Sequence, residues 1–96
     1  MNIFESRFLE EAIKTISDFK PSNKLEQTKL DTIAGWANRL IGNLDTAHKH
    51  LLRAVKQDPT SVRALYELGQ VYEAKGDVKK ALETYHLAMR LALKNQ

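Results

Sequence analysis

Displaced by 34 residues, the last two-thirds of the chain falls nearly onto itself: Gly35 returns as Gly69, Gly42 as Gly76, Ala47 as Ala81 and Ala54 as Ala88. Residue class recurs at other positions, pairing Lys29 with Arg63, Asn43 with Asp77, Leu44 with Val78, Leu51 with Tyr85 and Val55 with Met89. A period of this length belongs to units that cannot bury their apolar face alone and become stable by stacking on a neighbour. Stacked helical hairpins expose a long grooved surface and seldom enclose a reaction centre. The repeat therefore bears on function as well as fold.

Helical spacing runs through the whole chain. Phe4, Phe8, Ala12, Ile16 and Phe19 advance by three or four residues, flanked by Leu9 and Ile13, and predict a helix from Ile3 to Phe19 that Pro21 ends. Ser22 or Asn23 caps a second helix to about Ile41, with an apolar stripe of Leu25, Leu30, Ile33, Ala34, Ala37, Leu40 and Ile41. Gly42-Asn43 and Gly76-Asp77 read as tight joints: glycine takes the left-handed conformation that closes one helix, and the Asn or Asp caps the next. The third helix, about Leu44 to Gln57, turns Ala47, Leu51, Ala54 and Val55 inward. Asp58-Pro59-Thr60-Ser61 breaks and recaps the chain. The fourth helix runs from Val62 to Lys75 with Leu65, Leu68, Val71 and Tyr72 inward, and the fifth runs from about Val78 to Lys94. Its inward stripe is Val78, Ala81, Leu82, Tyr85, Ala88, Met89 and Ala92.

Gly35 and Gly69 fall inside helices, where glycine costs about 1 kcal/mol relative to alanine. A close approach by the paired helix offsets that cost. On this reading Ala47, Ala54, Ala81 and Ala88 are the small residues facing the glycines, while Leu51 and Tyr85 fill the space between.

These residues resemble the tetratricopeptide repeat family, whose pattern is W-x2-L-G-x2-Y, then A-x3-F-x2-A, then P. From Val62 to Asn95, the residues Leu65, Leu68-Gly69, Tyr72, Ala81, Tyr85 and Ala88 match in order and spacing, with Leu93 in place of the closing Pro. From Thr28 to Ser61, Ala34-Gly35, Ala47, Leu51, Ala54 and Pro59 match, but Asp31 and Asn38 stand where large apolar or aromatic residues are usual. The resemblance implies an all-α, right-handed superhelix of stacked helix-turn-helix units within a single domain, 1–96. Its expected parts are an N-terminal helix at 1–21, a degenerate first repeat at 22–61 and a second repeat at 62–96.

In this family the first helix of each repeat lines a concave face that binds peptides or protein segments. The resemblance assigns that role to Lys29, Thr32, Trp36 and Arg39 in the first repeat, and to Arg63, Tyr66, Gln70 and Glu73 in the second. Trp36 lies about opposite the Leu30, Ile33, Ala37 stripe, and two placements follow: an exposed anchor beside Arg39 and across from Tyr66, or a side chain packed under the N-terminal helix. Some members grip a C-terminal carboxylate with Lys, Arg and Asn, but Thr32 and Trp36 occupy the positions that the clamp's Lys and Asn would need. On the last helix, Leu87 and Leu91 extend the apolar area onto a flank where the preceding unit has Arg53 and Gln57. They suggest a covered surface, with a homodimer as one occupant, or else two scattered exposed leucines.

Other functions find few ingredients. There is no Cys, no glycine-rich phosphate loop and no nucleophile elbow, so neither an enzyme nor a cofactor is expected. His48 and His50 sit two residues apart on a helix and point to different faces, so no metal site is expected. The rival function is nucleic-acid binding through Lys49, Arg53 and Lys56, which share a helix face without an interleaved aromatic. The net charge of +3 is mild and dispersed. No window approaches the roughly 18 apolar residues of a membrane span, and the N-terminus lacks the apolar run of a signal peptide. The expectation is a cytoplasmic chain with protein or peptide partners.

Overall fold

A computed structural model describes residues 1–94. It contains five helices among the described residues: α1 Ile3–Asp18, α2 Lys24–Ile41, α3 Leu44–Gln57, α4 Val62–Ala74 and α5 Val78–Lys94. The last two positions of the expected second repeat, 95 and 96, lie outside the described residues. Helix starts follow local chemistry, because the first backbone N–H groups need an acceptor. Asn23 Oδ1 accepts from Glu26 N at 2.9 Å, and Ser61 Oγ accepts from Ala64 N at 3.2 Å. Gly42 and Gly76 have φ of 95° and 83°, the left-handed conformation expected at the two joints.

One cap differs from expectation. Asp77 Oδ1 accepts from Lys80 N at 3.2 Å, but Asn43 makes no capping bond. The Asn43 amide instead donates to Asn38 Oδ1 at 3.5 Å, drawn back by the buried polar group on α2.

α2 packs against α3 and α4 against α5, with α3 on α4, α2 touching α4, and α1 on the outer side of α2. Ala47, Leu51, Leu68 and Val71 form the buried core where the two hairpins meet, with Val55 and Tyr72 against it. Fully burying a Leu or Val contributes about 1.5–3 kcal/mol. Within each hairpin the glycines permit the approach: a Cβ on Gly35 would overlap the Leu51 side chain, and one on Gly69 would lie 2.5 Å from Tyr85 Cε1. The groups meeting the glycines are thus Leu51 and Tyr85, while Ala47, Ala54, Ala81 and Ala88 are buried around them.

Three apolar stripes are oriented otherwise than periodicity suggests. In α1, Leu9 is buried and Ile13 and Ile16 are partly covered, whereas Phe4, Phe8 and the following Phe19 are exposed. In α2, Ala34 and Ala37 are buried together with Thr28, Asp31, Thr32, Gly35 and Asn38, while Leu25, Ile33 and Leu40 face outward. In α5 only Ala81 and Ala88 are buried and Tyr85 is half-buried; Val78, Leu82, Met89 and Ala92 are exposed. Each end helix packs against a single neighbour, so one strip of its surface is covered and the apolar residues beside it remain open.

Candidate functional site: the groove between α2 and α4

α2 and the start of α4 form the walls of a groove of about 590 Å³. Its lining combines Leu25, Ile33 and Trp36 with Thr28, Lys29, Thr32, Asp58, Ser61 and Arg63. Trp36 is half-buried in this wall, on the α4 side of α2 and away from the cavity that α1 covers. Ile33, expected opposite Trp36, lines the same groove, since the two positions are one helical turn apart. Buried Thr28 and Thr32 lie between the more open Leu25, Ile33 and Trp36, and this mixture of apolar and polar groups suits an amphipathic segment, in which side chains anchor and charges set register.

The eight residues expected on the concave face are distributed over more than one place. Lys29, Thr32, Trp36 and Arg63 share the groove. The Thr32 hydroxyl is committed to the Thr28 carbonyl at 2.9 Å, so this residue contributes its methyl and its shape. Tyr66 lies in a separate, shallower groove between α4 and α5, with its ring 5.9 Å from that of Tyr85 and Arg63 as a shared wall. Gln70 is half-buried farther along α4. Glu73, beyond it, accepts the Tyr85 hydroxyl proton at 2.9 Å. Burial, and secondarily that bond to a carboxylate, raises the Tyr85 pKa above its ordinary value.

Arg39 and Arg63 turn toward a residue that periodicity did not single out. Glu67 is buried, with Arg39 Nη2 at 3.6 Å and Arg63 Nε at 3.7 Å from its two carboxylate oxygens. These separations are ionic contacts longer than hydrogen bonds. Arg63 and Glu67 stand four residues apart, and that spacing was the one signal in the sequence. Lys29 makes no ion pair among the described residues, which leaves it the cation at the groove with its charge uncommitted.

On the opposite side of α2, the supposedly degenerate positions form a polar cluster. Asp31 Oδ2 accepts from Arg53 Nε at 2.7 Å and Oδ1 from Arg53 Nη2 at 2.5 Å, with His50 Nδ1 at 2.9 Å and Gln27 Nε2 at 3.2 Å. Burial acts to raise the Asp31 pKa, but the Arg53, His50 and Gln27 hydrogen bonds together outweigh it and hold the carboxyl below its ordinary range. An ionised carboxylate only accepts, so His50 carries its proton on Nδ1. Arg53 is thereby drawn out of the basic strip, leaving Lys49 and Lys56 as its exposed lysines.

His48 has a structural environment of its own: its ring meets Tyr72 edge-on at 5.1 Å, and Lys75 Nζ donates to His48 Nδ1 at 3.0 Å. No group of three or more His, Cys, Asp or Glu side chains capable of holding a metal ion occurs among the described residues. No described helix is long and apolar enough to cross a membrane.

Leu87 is exposed and Leu91 half-buried; with Arg90, Leu93 and Lys94 they form a shallow patch on one flank of α5.

The architecture is therefore an all-α helical repeat in which glycines let the two helices of each hairpin approach and the hairpins stack through a core of Ala47, Leu51, Leu68 and Val71. The family model for the tetratricopeptide repeat matches residues 36–92, and the chain belongs to this family. No match was found among curated proteins. Tetratricopeptide repeats generally mediate protein–protein interactions.

Proposed function

We propose that the chain is a non-catalytic interaction module, two repeats behind an N-terminal helix, that takes a peptide or protein segment in the groove between α2 and α4. The observation that carries this reading is the half-buried Trp36 in one wall with Leu25, Ile33 and the uncommitted Lys29. Aromatic side chains supply large contact area at little entropic cost and are enriched among binding hot spots. Lys29 and Arg63 at the rim favour a segment that carries a carboxylate beside its apolar residues.

Selection from a randomised peptide library, with Trp36→Ala as the counter-selected control, tests the reading. Enriched peptides should lose at least about tenfold in affinity on the variant. Equal binding to both proteins would remove this groove from consideration. Nucleic-acid binding through Lys49 and Lys56 would instead show a steep loss of affinity with salt and indifference to Trp36.

A further inference from the structure

The two end helices present exposed apolar faces of opposite charge. Phe4 and Phe8, one turn apart on α1, are both more than half exposed and lie beside Leu40 at the end of α2. On α5, Val78, Leu82, Met89 and Leu93 recur at intervals of four, seven and four residues, so they form one strip along a single flank, and each is more than half exposed. Exposed apolar strips of this extent mark surfaces that another surface covers.

Charge indicates the occupant. α1 carries four carboxylates, Glu5, Glu10, Glu11 and Asp18, against Arg7 and Lys14. α5 carries four cations, Lys79, Lys80, Arg90 and Lys94, against Glu83. Glu11 and Asp18 lie beside the Phe4–Phe8 ridge, with Glu5 on one flank and Arg7 on the other, so the ridge is net acidic; Lys79 and Arg90 border the α5 strip on its solvent side. Two copies of α1, or two of α5, would bring like charges together, whereas α1 against α5 brings opposite charges together.

We infer that copies of this chain associate head to tail, the acidic, phenylalanine-bearing face of α1 in one copy seating on the basic-flanked Val78, Leu82, Met89, Leu93 strip of α5 in the next. The contact is heterologous, so an assembly of any length retains one free α1 face and one free α5 face at its two ends and grows with concentration rather than stopping at a dimer. It is separate from the α2–α4 groove, meets the Leu87–Leu91 patch at Arg90 and Leu93, and does not depend on the peptide-binding reading.

The test uses the 96-residue chain and two double variants at exposed positions, checked for unchanged helicity by circular dichroism. Phe4→Ser with Phe8→Ser disables the α1 face; Leu82→Ser with Met89→Ser disables the α5 strip. Light scattering should show the unaltered chain rising above 11.0 kDa with concentration, and each variant alone staying at that mass. Mixing the variants should give a complex of twice 11.0 kDa that grows no further, because each supplies the face the other lacks. Added salt should shift that equilibrium toward the monomers. The proposal is overturned if the unaltered chain is monomeric throughout, if either variant alone still dimerises, or if the mixture does not associate.

Discussion

Asp31 of α2 is gripped by the guanidinium fork of Arg53 on α3, one nitrogen to each carboxylate oxygen, 22 residues apart in the chain. The pair ties together the two helices of the first hairpin at a position where the repeat pattern would place an apolar contact. A bidentate pair also fixes orientation, because both donors must lie in the plane of the carboxylate. His50 and Gln27 complete the acceptor's shell, and that shell is what allows the charge to be buried.

Arg53→Ala should therefore cost about 1–3 kcal/mol, since it leaves Asp31 buried with fewer partners. Asp31→Leu combined with Arg53→Met should recover much of that loss, because an apolar pair of similar volume removes the desolvation cost altogether. Urea unfolding of the single and double variants reads both. Because the folded Asp31 pKa is depressed, its contribution is present above the ordinary carboxylate value of about 3.9 and is lost as pH falls through the lower folded value. The loss of stability in this acid range should be shallower in Arg53→Ala than in the unaltered protein.

Gly35→Ala should destabilise more than Gly69→Ala. Both substitutions gain about 1 kcal/mol of helix propensity, and both place a methyl against the partner helix. Leu51 is fully buried and has nowhere to move, whereas Tyr85 is only partly covered and its ring can swing outward. Overpacking costs about 1–3 kcal/mol, so Gly35→Ala should lower the melting temperature while Gly69→Ala stays near neutral. Gly69→Leu, with a longer side chain to place, should lower it clearly. Thermal unfolding followed by circular dichroism ranks the three.

His48 should be neutral at lower pH than an ordinary histidine. Burial lowers its pKa first, and Lys75 and Lys80 add to this while Asp45 partly opposes them. A depressed folded pKa means that the unfolded chain binds the proton more readily. Stability from this group is therefore complete above the ordinary value of about 6.5 and declines as pH falls toward the folded value. His48→Gln should flatten the stability profile in that window, and proton NMR titration of the ring should give a midpoint below that of a free histidine.

In the α2–α4 groove, Lys29→Glu should weaken a bound acidic–apolar peptide several-fold and leave the fold unchanged, because Lys29 is exposed and makes no ion pair among the described residues. Arg63→Glu should reduce both binding and stability, since it also sets a second carboxylate beside the buried Glu67. Isothermal titration with one library-derived peptide, paired with a melting curve for each variant, separates the two effects.

The helix pattern was legible in the chain because its causes are local. Asn23 and Ser61 cap whatever follows them, Gly42 and Gly76 accept the left-handed turn, and the interval of 34 residues repeats the same joint twice. Gly35 and Gly69 also announced a close helix contact, because a mid-helix glycine has a cost that something must offset. Of the groove, Lys29, Thr32, Trp36 and Arg63 were legible through the family pattern, while Leu25 and Ile33 were assigned to the covered stripe instead.

Periodicity by itself determined which apolar residues share a helix face; only the tertiary arrangement decided whether a neighbour lies against that face. Phe4 and Phe8 align as well as any core residues, yet they stay exposed because α1 has just one helix to pack on. Asp31 and Glu67 are charged and nonetheless buried, because α3 delivers Arg53 to the first and α2 delivers Arg39 to the second. The physical reason is range. Caps and turns are decided within a few residues, whereas burying a side chain or neutralising a charge requires a partner brought from a distant part of the chain by the stacking of whole helices.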